Sequence, residues 1–310
     1  MAASRAPRAG GSWSRALTDI AMSKDPVPKN VPPETQLIAH DEHTITIADK
    51  WPKAAFHLLV LPRIPFRLAP DASKAGNAAT SSSTGQEKEE TQPPKLSLAG
   101  GKLLGGTSKT DTVPASHLQD ISALLASPYA AQVLSALRTA SEKAIEHIHE
   151  KMLQLPRCGT TWSIERAFHA IPSMQTVHLH VYSAELVSPA LKNAKHYNSF
   201  RPGHGFALPL EEIVALVVQG KKTLPHSTAH YESLLKAALV GRDGRTYRNI
   251  PQLKDHLDEH WRAELAKIKL DPPSSSSKRH QADSSDKDAE DALQKGDTKR
   301  RRTAVAVQSK

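Results

Sequence analysis

Residues 67–114 pass through Ala-Ser-Gly, then Lys/Glu, then Gly-Gly repeats, with little to bury. A stretch this long without secondary structure fits inside a compact domain only as an insertion. One folded centre must therefore be built from chain on both sides of it. Residues 269–310 are Ser/Asp/Lys-rich and hold too little apolar surface to offset chain entropy. The expected organisation has four parts. An N-terminal segment, 1–34, carries a short helix. A domain at 35–200 is interrupted by the disordered insert 67–114. A small module follows at 201–268, and the chain ends in a disordered basic tail at 269–310.

Periodicity fills in the elements. Residues 13–22 hold Trp13, Leu17, Ile20 and Ala21 at helical spacing. Three short strands are expected at 37–39, 43–48 and 56–61, with turns at Asp41-Glu42 and at Asp49 to Pro52. Residues 115–153 read as helix, in which Val133, Leu134, Leu137, Ala140, Ala144, Ile145, Ile148 and Met152 repeat at helical spacing, with Pro128 at the start of the long part. Strands are expected again at 162–170 and 177–182, and helices at 211–218, 231–240 and 251–268. The order of three strands, a helix and two strands implies an α+β fold, an antiparallel sheet with a helix packed on one face.

The chain has 41 Lys and Arg against 32 Asp and Glu, a formal charge of +9. Such an excess favours an anionic partner, most commonly nucleic acid. With Cys158 as its one cysteine, an intramolecular disulfide is excluded and a thiolate-rich zinc site is too. No apolar run reaches the ~20 residues that span a bilayer, so no membrane partner is expected. Lys278-Arg279 and Lys299-Arg300-Arg301-Arg302 read as a nuclear-import signal. That reading ranks above a mitochondrial presequence carried by Arg5, Arg8 and Arg15.

Sixteen histidines is a high count, and the informative ones lie in Val177-His178-Leu179-His180-Val181. On a strand, alternate side chains share a face, so His178 and His180 project together while Val177, Leu179 and Val181 enter the core. A short turn would bring His169 alongside from the preceding strand. Neutral imidazoles can attack phosphorus and move protons near pH 7. They also bind metals, or simply sit satisfied in a sheet.

Ile171-Pro172-Ser173-Met174 followed by Val177 to Val181 resembles the motif of the histidine-triad superfamily. Asp49-Lys50-Trp51-Pro52-Lys53-Ala54 and His57-Leu58-Leu59-Val60-Leu61-Pro62-Arg63 resemble its upstream segments. Ser188 to Phe200 and Ile250 to Trp261 are similar to the aprataxin family in particular. The resemblance runs from about Asp41 to Trp261, leaving out the insert and both tails. It implies a histidine-triad fold with a C-terminal helical, zinc-finger-like DNA-binding module.

The resemblance also implies roles. His178 would be the nucleophile that forms AMP-histidine, His180 would orient it, and His169 would protonate the leaving group. Ser173 and Lys192 would contact phosphate, with His57 and Lys53 as supports. Lys195, Arg245, Arg248 and Lys254 would contact DNA. The implied reaction is removal of AMP from 5′-adenylated, damaged DNA ends, in the nucleus and in company with DNA-repair proteins. Catalysis would need no cofactor. A hydrolase of small AMP conjugates and a non-catalytic DNA-end-binding protein are the alternatives. Two departures stand out. Thr176 occupies the first triad position, where its side chain does not match the tautomer-fixing histidine of the motif. His256 and His260 keep the histidine half of a zinc site, but the cysteine positions fall at Val240 and Asp243. Zinc is therefore expected to have been lost.

Overall fold

The computed structural model describes residues 12–32, 34–68, 112–155 and 159–270. Cys158, the Trp13 side chain, most of the insert and the basic tail lie outside the described residues. Seven helices and ten strands are named below in chain order. They are α1 (Ala16–Ala21), β1 (Leu37–His40), β2 (Thr44–Ala48), β3 (His57–Pro62), β4 (Phe66–Arg67) and β5 (Thr112–Val113). Next come α2 (Ile121–Ala126), α3 (Ala130–Leu153), β6 (Ile164–His169), β7 (Leu179–Ser183), α4 (Ala194–Asn198) and β8 (Ala207–Pro209). The series ends with α5 (Leu210–Val218), α6 (Thr228–Leu235), β9 (Leu239–Val240), β10 (Thr246–Tyr247) and α7 (Ile250–Leu270).

The main sheet has strand order β1-β2-β3-β7-β6-β8, with every neighbour antiparallel. The expected α+β arrangement is what the chain adopts. At the β1–β2 turn, the Asp41 carboxylate accepts hydrogen bonds from the backbone of His43 and Thr44, and from the Thr44 hydroxyl. This is the short polar side chain doing what a turn requires. Both ends of the insert expected at 67–114 depart from that reading, because Arg67 and Thr112–Val113 are strand and pair with one another in β4–β5.

Helix α3 covers one face of the sheet. Val133, Leu137, Ala144 and Ile148 point into a layer with Leu58, Val60, Phe168, Leu179 and Val181. Helix spacing and strand alternation thus meet at one interface. The other face carries two smaller clusters. In one, Leu17 and Ile20 of α1 pack on Ile45, Ile47, Leu59 and Leu61. In the other, Tyr197 and Phe200 pack with Ala167, Tyr182, Leu239, Leu253 and Leu257.

Three boundaries differ from the sequence reading. The long helix begins at Ala130, after Pro128 and Tyr129, and a separate α2 precedes it with Asp120 as its N-cap. The helix expected at 231–240 ends at Leu235, and Leu239–Val240 instead pairs with Thr246–Tyr247. Most consequentially, Ala207–Pro209 pairs with β6 as the sixth strand of the sheet, so the division expected at 200/201 falls inside the domain. α7 packs on both sheet faces' clusters, with Leu253 and Leu257 in one and Leu265 in the other.

Leu137 is fully buried at the centre of the α3 interface. Leu137→Ala should lower unfolding free energy by ~2–5 kcal/mol through lost transfer energy and the residual cavity. Chemical denaturation reads this as a lower midpoint at unchanged slope.

Candidate active site

Alternation along the central strands separates imidazoles from core. On β7, Leu179 and Val181 join the α3 layer, and His180 points the opposite way. On β3, Leu58 and Val60 face α3, leaving His57 on the His180 side. On β6, Phe168 faces α3 and His169 does not. Register then assembles the cluster, since His180 stands opposite Leu59 of β3 and Ala167 of β6. Ring centroids lie 4.3 Å apart for His169–His180, 4.8 Å for His178–His180 and 5.2 Å for His57–His180. Phe200 closes the cluster edge-on, 5.0 Å from His57 and His180 and 4.5 Å from His169.

Hydrogen bonds fix where the protons sit. The Lys53 backbone N–H donates to His57 Nδ1 at 3.1 Å. His57 must then be protonated at Nε2, and it donates to His180 Nδ1 at 3.0 Å. That leaves His180 with its proton on Nε2. His178 lies just before β7, and its Nδ1 is 2.8 Å from the Thr176 carbonyl. A carbonyl only accepts, so Nδ1 holds the proton and Nε2 presents a lone pair. The tautomer-fixing role that Thr176 seemed to have lost is performed by its backbone. Thr176 has φ 73°, a left-handed conformation that costs a β-branched residue roughly 1–3 kcal/mol.

Burial is the largest influence on all four histidines and holds each below its ordinary value of 6.5. His57 is lowered to about 4, opposed by the nearby Asp49 carboxylate. His169 and His180 are held well below the ordinary value, each also repelled by neighbouring imidazoles. For His178 the Thr176 carbonyl partly offsets burial. The cluster is therefore neutral at pH 7.

A cleft of about 1270 Å³ opens onto this cluster. His169, His178, His180, Ser173, Lys53, Lys192 and Lys195 all line it, so the structure gathers these expected site residues around one space. His57 does not reach the cleft and acts behind His180. The buried Nε2 atoms of His169 and His180 have no protein hydrogen-bond partner, although both residues line the cleft. Lysine ammonium groups beside unpartnered imidazole nitrogens suit a ligand rich in phosphate oxygens. Asp49, His57 and His180 offer ligand atoms within 4.8 Å of one another. Both His57 nitrogens and His180 Nδ1 are already used in the hydrogen-bond chain, so these lone pairs do not converge on an ion.

Two contributors escaped sequence reasoning. Glu185 is buried, and its carboxylate accepts from the Ala55 N–H, from Ser183 Oγ at 3.0 Å and from Trp162 Nε1 at 2.8 Å. It ties the chain entering β3 to the end of β7. Phe200 forms the aromatic wall already described. A lone glutamate and a lone phenylalanine carry no pattern that would single them out.

The C-terminal residues lie apart from the histidine cleft. Arg245 and Arg248 are exposed, with Arg245 3.6 Å from the Asp243 carboxylate. Lys254 is half-buried, and its ammonium donates to the Ser188 carbonyl at 2.9 Å, bracing α7. His256 stacks on Tyr247 with centroids 4.9 Å apart and approaches Asp243 at 3.5 Å. The His256 and His260 rings are 6.3 Å apart, and among the described residues they belong to no metal-binding group. A carboxylate and imidazoles, one of them covered by a tyrosine ring, do not fit a structural zinc site.

An antiparallel sheet under a long helix, with clustered buried histidines lining a phosphate-suited cleft, is the arrangement that the resemblance to histidine-triad proteins implies. No protein-family model matches the chain. Aprataxin of Gallus gallus is 29% identical over 258 residues, which is 81% of this chain and 56% of the relative. Aprataxin of Danio rerio is 35% identical over 131 residues, 41% of this chain and 39% of the relative. A crystal structure of the aprataxin ortholog Hnt3 in complex with DNA aligns at TM-score 0.46 and 20% identity, covering 83% of this chain and 98% of that one. In sequence the chain is similar to these aprataxins over the stretches that match. The chain spans about half the length, or less, of these two curated relatives.

The depressed histidine values predict a pH dependence. Unfolded histidines bind protons below about pH 6.5, while folded His57 does so only near 4. The unfolded state therefore gains protons first, and stability should fall as pH drops through that window. Urea midpoints at pH 7, 5.5 and 4.5 should decrease in that order, and His57→Gln should flatten the trend.

Proposed function

We propose that the protein removes AMP from 5′-adenylated DNA ends. The observation that carries this reading is the His178 Nδ1–H held by the Thr176 carbonyl, which leaves Nε2 bare beside the cleft. In the first step that lone pair attacks the adenylate phosphorus. A His–phosphorus bond forms as the bond to the bridging oxygen breaks, and the electron pair leaves with the 5′-phosphorylated DNA. The phosphate leaves as an anion with no net proton transfer, His169 being placed to hydrogen-bond it, while the His180 Nε2–H donates to a non-bridging oxygen. In the second step water attacks the AMP-histidine, releasing AMP and restoring the imidazole.

Charge in the transition state falls to Lys192, with Lys53 beside it and Ser173 as a neutral contact, all of them lining the cleft. Lys195 at the mouth and the exposed Arg245 and Arg248 would hold the DNA backbone, positioning it without reading sequence. Lys254 serves α7 through Ser188, so its substitution should affect stability more than DNA binding. The chemistry uses imidazole as nucleophile and calls on no metal, and purified protein should contain zinc well below one equivalent. The substrate and the basic runs of the tail fit a nuclear site of action among DNA-repair proteins.

His178→Ala should abolish release of AMP from a 5′-adenylated oligonucleotide while DNA affinity stays within about threefold, because the residue acts in the transition state. Acid quench of the wild type should trap an AMP adduct on His178. Strong preference for a small AMP-amidate over adenylated DNA would favour the small-conjugate hydrolase instead. Binding without any turnover or adduct would favour a non-catalytic end-binding protein. Arg245→Ala should weaken binding equally for different sequences and reduce its salt dependence.

A further inference from the structure

The bend that carries Thr176 is held from outside the catalytic strands. Thr176 is buried and left-handed, with φ 73°, a conformation that a β-branched side chain does not hold unaided. Its hydroxyl is 2.9 Å from the hydroxyl of Thr18, on α1, 158 residues earlier in the chain. The adjacent Gln175 N–H donates to the Ser14 carbonyl at 2.8 Å, just before α1. On the other side, the Val177 N–H donates to the Leu118 carbonyl at 2.8 Å. The residues on either side of Thr176 are thus each held through a backbone N–H, with Thr18 holding its side chain. α1 is itself seated by Leu17 and Ile20, both buried against β2 and β3.

We propose that Thr18 is a positioning residue for the nucleophile. It holds Thr176 in the bend whose carbonyl takes the Nδ1 proton of His178, and so keeps Nε2 as the attacking lone pair. The inference rests on the proposed His178 chemistry for its kinetic consequence, but not for the tautomer itself. Relaxation of Thr176 to a right-handed conformation would rotate the peptide groups about it. The carbonyl would then leave Nδ1, and His178 would populate both neutral tautomers. In the Nε2–H form the imidazole has no lone pair to offer phosphorus. The N-terminal segment is thereby part of the catalytic apparatus, although it supplies no group that touches the reacting atoms. The Thr18 hydroxyl reaching in from α1 steadies the bend whose carbonyl fixes the His178 tautomer.

The test uses the full chain and two readouts. Thr18→Val keeps the shape and removes the hydroxyl, and Thr18→Ser restores it. Thr18→Val should lower kcat on 5′-adenylated DNA by about tenfold, the scale of one lost buried hydrogen bond, with KM little changed. Thr18→Ser should recover wild-type kcat. Nitrogen-15 NMR of the His178 ring should show an unprotonated Nε2 in the wild type and in Thr18→Ser, and mixed tautomers in Thr18→Val. Because Thr18 and Thr176 share one interaction, Thr18→Val and Thr176→Val combined should cost no more than Thr18→Val alone. Wild-type kcat and an unchanged nitrogen spectrum in Thr18→Val would overturn the proposal, as would additive losses in the double variant. Should Thr18→Val not fold, Thr176→Val carries the same test, with the same two outcomes. If the wild type does not turn over adenylated DNA, the substrate assignment fails. The nitrogen spectra still decide the role of Thr18.

Discussion

An imidazole can act as a nucleophile only if it is neutral and if the nitrogen facing the substrate is the one without a proton. Both conditions are met by backbone placement and burial. Removing four histidines from water disfavours their charged forms, and two backbone groups, the Lys53 N–H and the Thr176 carbonyl, decide which nitrogen of His57 and His178 holds the proton. From His57 the choice passes to His180 through one hydrogen bond. The rest of the structure supports these placements. α3 supplies the hydrophobic layer that makes the sheet rigid, and Glu185 pins the entry to β3 against the end of β7.

Much of this was legible in the sequence because strands have a strict period of two. Val177-His178-Leu179-His180-Val181 could be sorted into core and cleft without coordinates, and the helix over Val133 to Met152 was equally plain from its spacing. Residues 67–114 were recognisable as an interruption, although its first and last residues enter the two-residue strands β4 and β5, too short to be read. Elements of two or three residues could not be read, since β8, β9 and β10 are shorter than any periodicity can define. Their existence depends on the partner strand. The same limit hid the function of the Thr176 bend. A threonine where a histidine was expected looked like a loss, because sequence reports side chains while the working atom here is a backbone oxygen.

The C-terminal region shows how a module can persist when its expected centre has changed. Where the resemblance places a zinc centre that the missing cysteines argued against, His256 lies against Tyr247 and near Asp243, and Gly241 packs so closely that an added Cβ would come within 2.9 Å of all three. Tyr197 reinforces the hairpin by donating its hydroxyl to the Val240 carbonyl at 2.8 Å. Apolar packing of Leu253 and Leu257 then joins hairpin and helix to the same cluster as Phe200.

β8 is the outermost strand, and its partner is the strand that ends at His169. His169↔Ala207 is the last rung of that pairing. A protein shortened just beyond Phe200 would therefore do more than discard a grip on its ligand. It would bare a sheet margin and unmoor one imidazole of the cluster, so that recognition and chemistry cannot be dissected by cutting the chain between them.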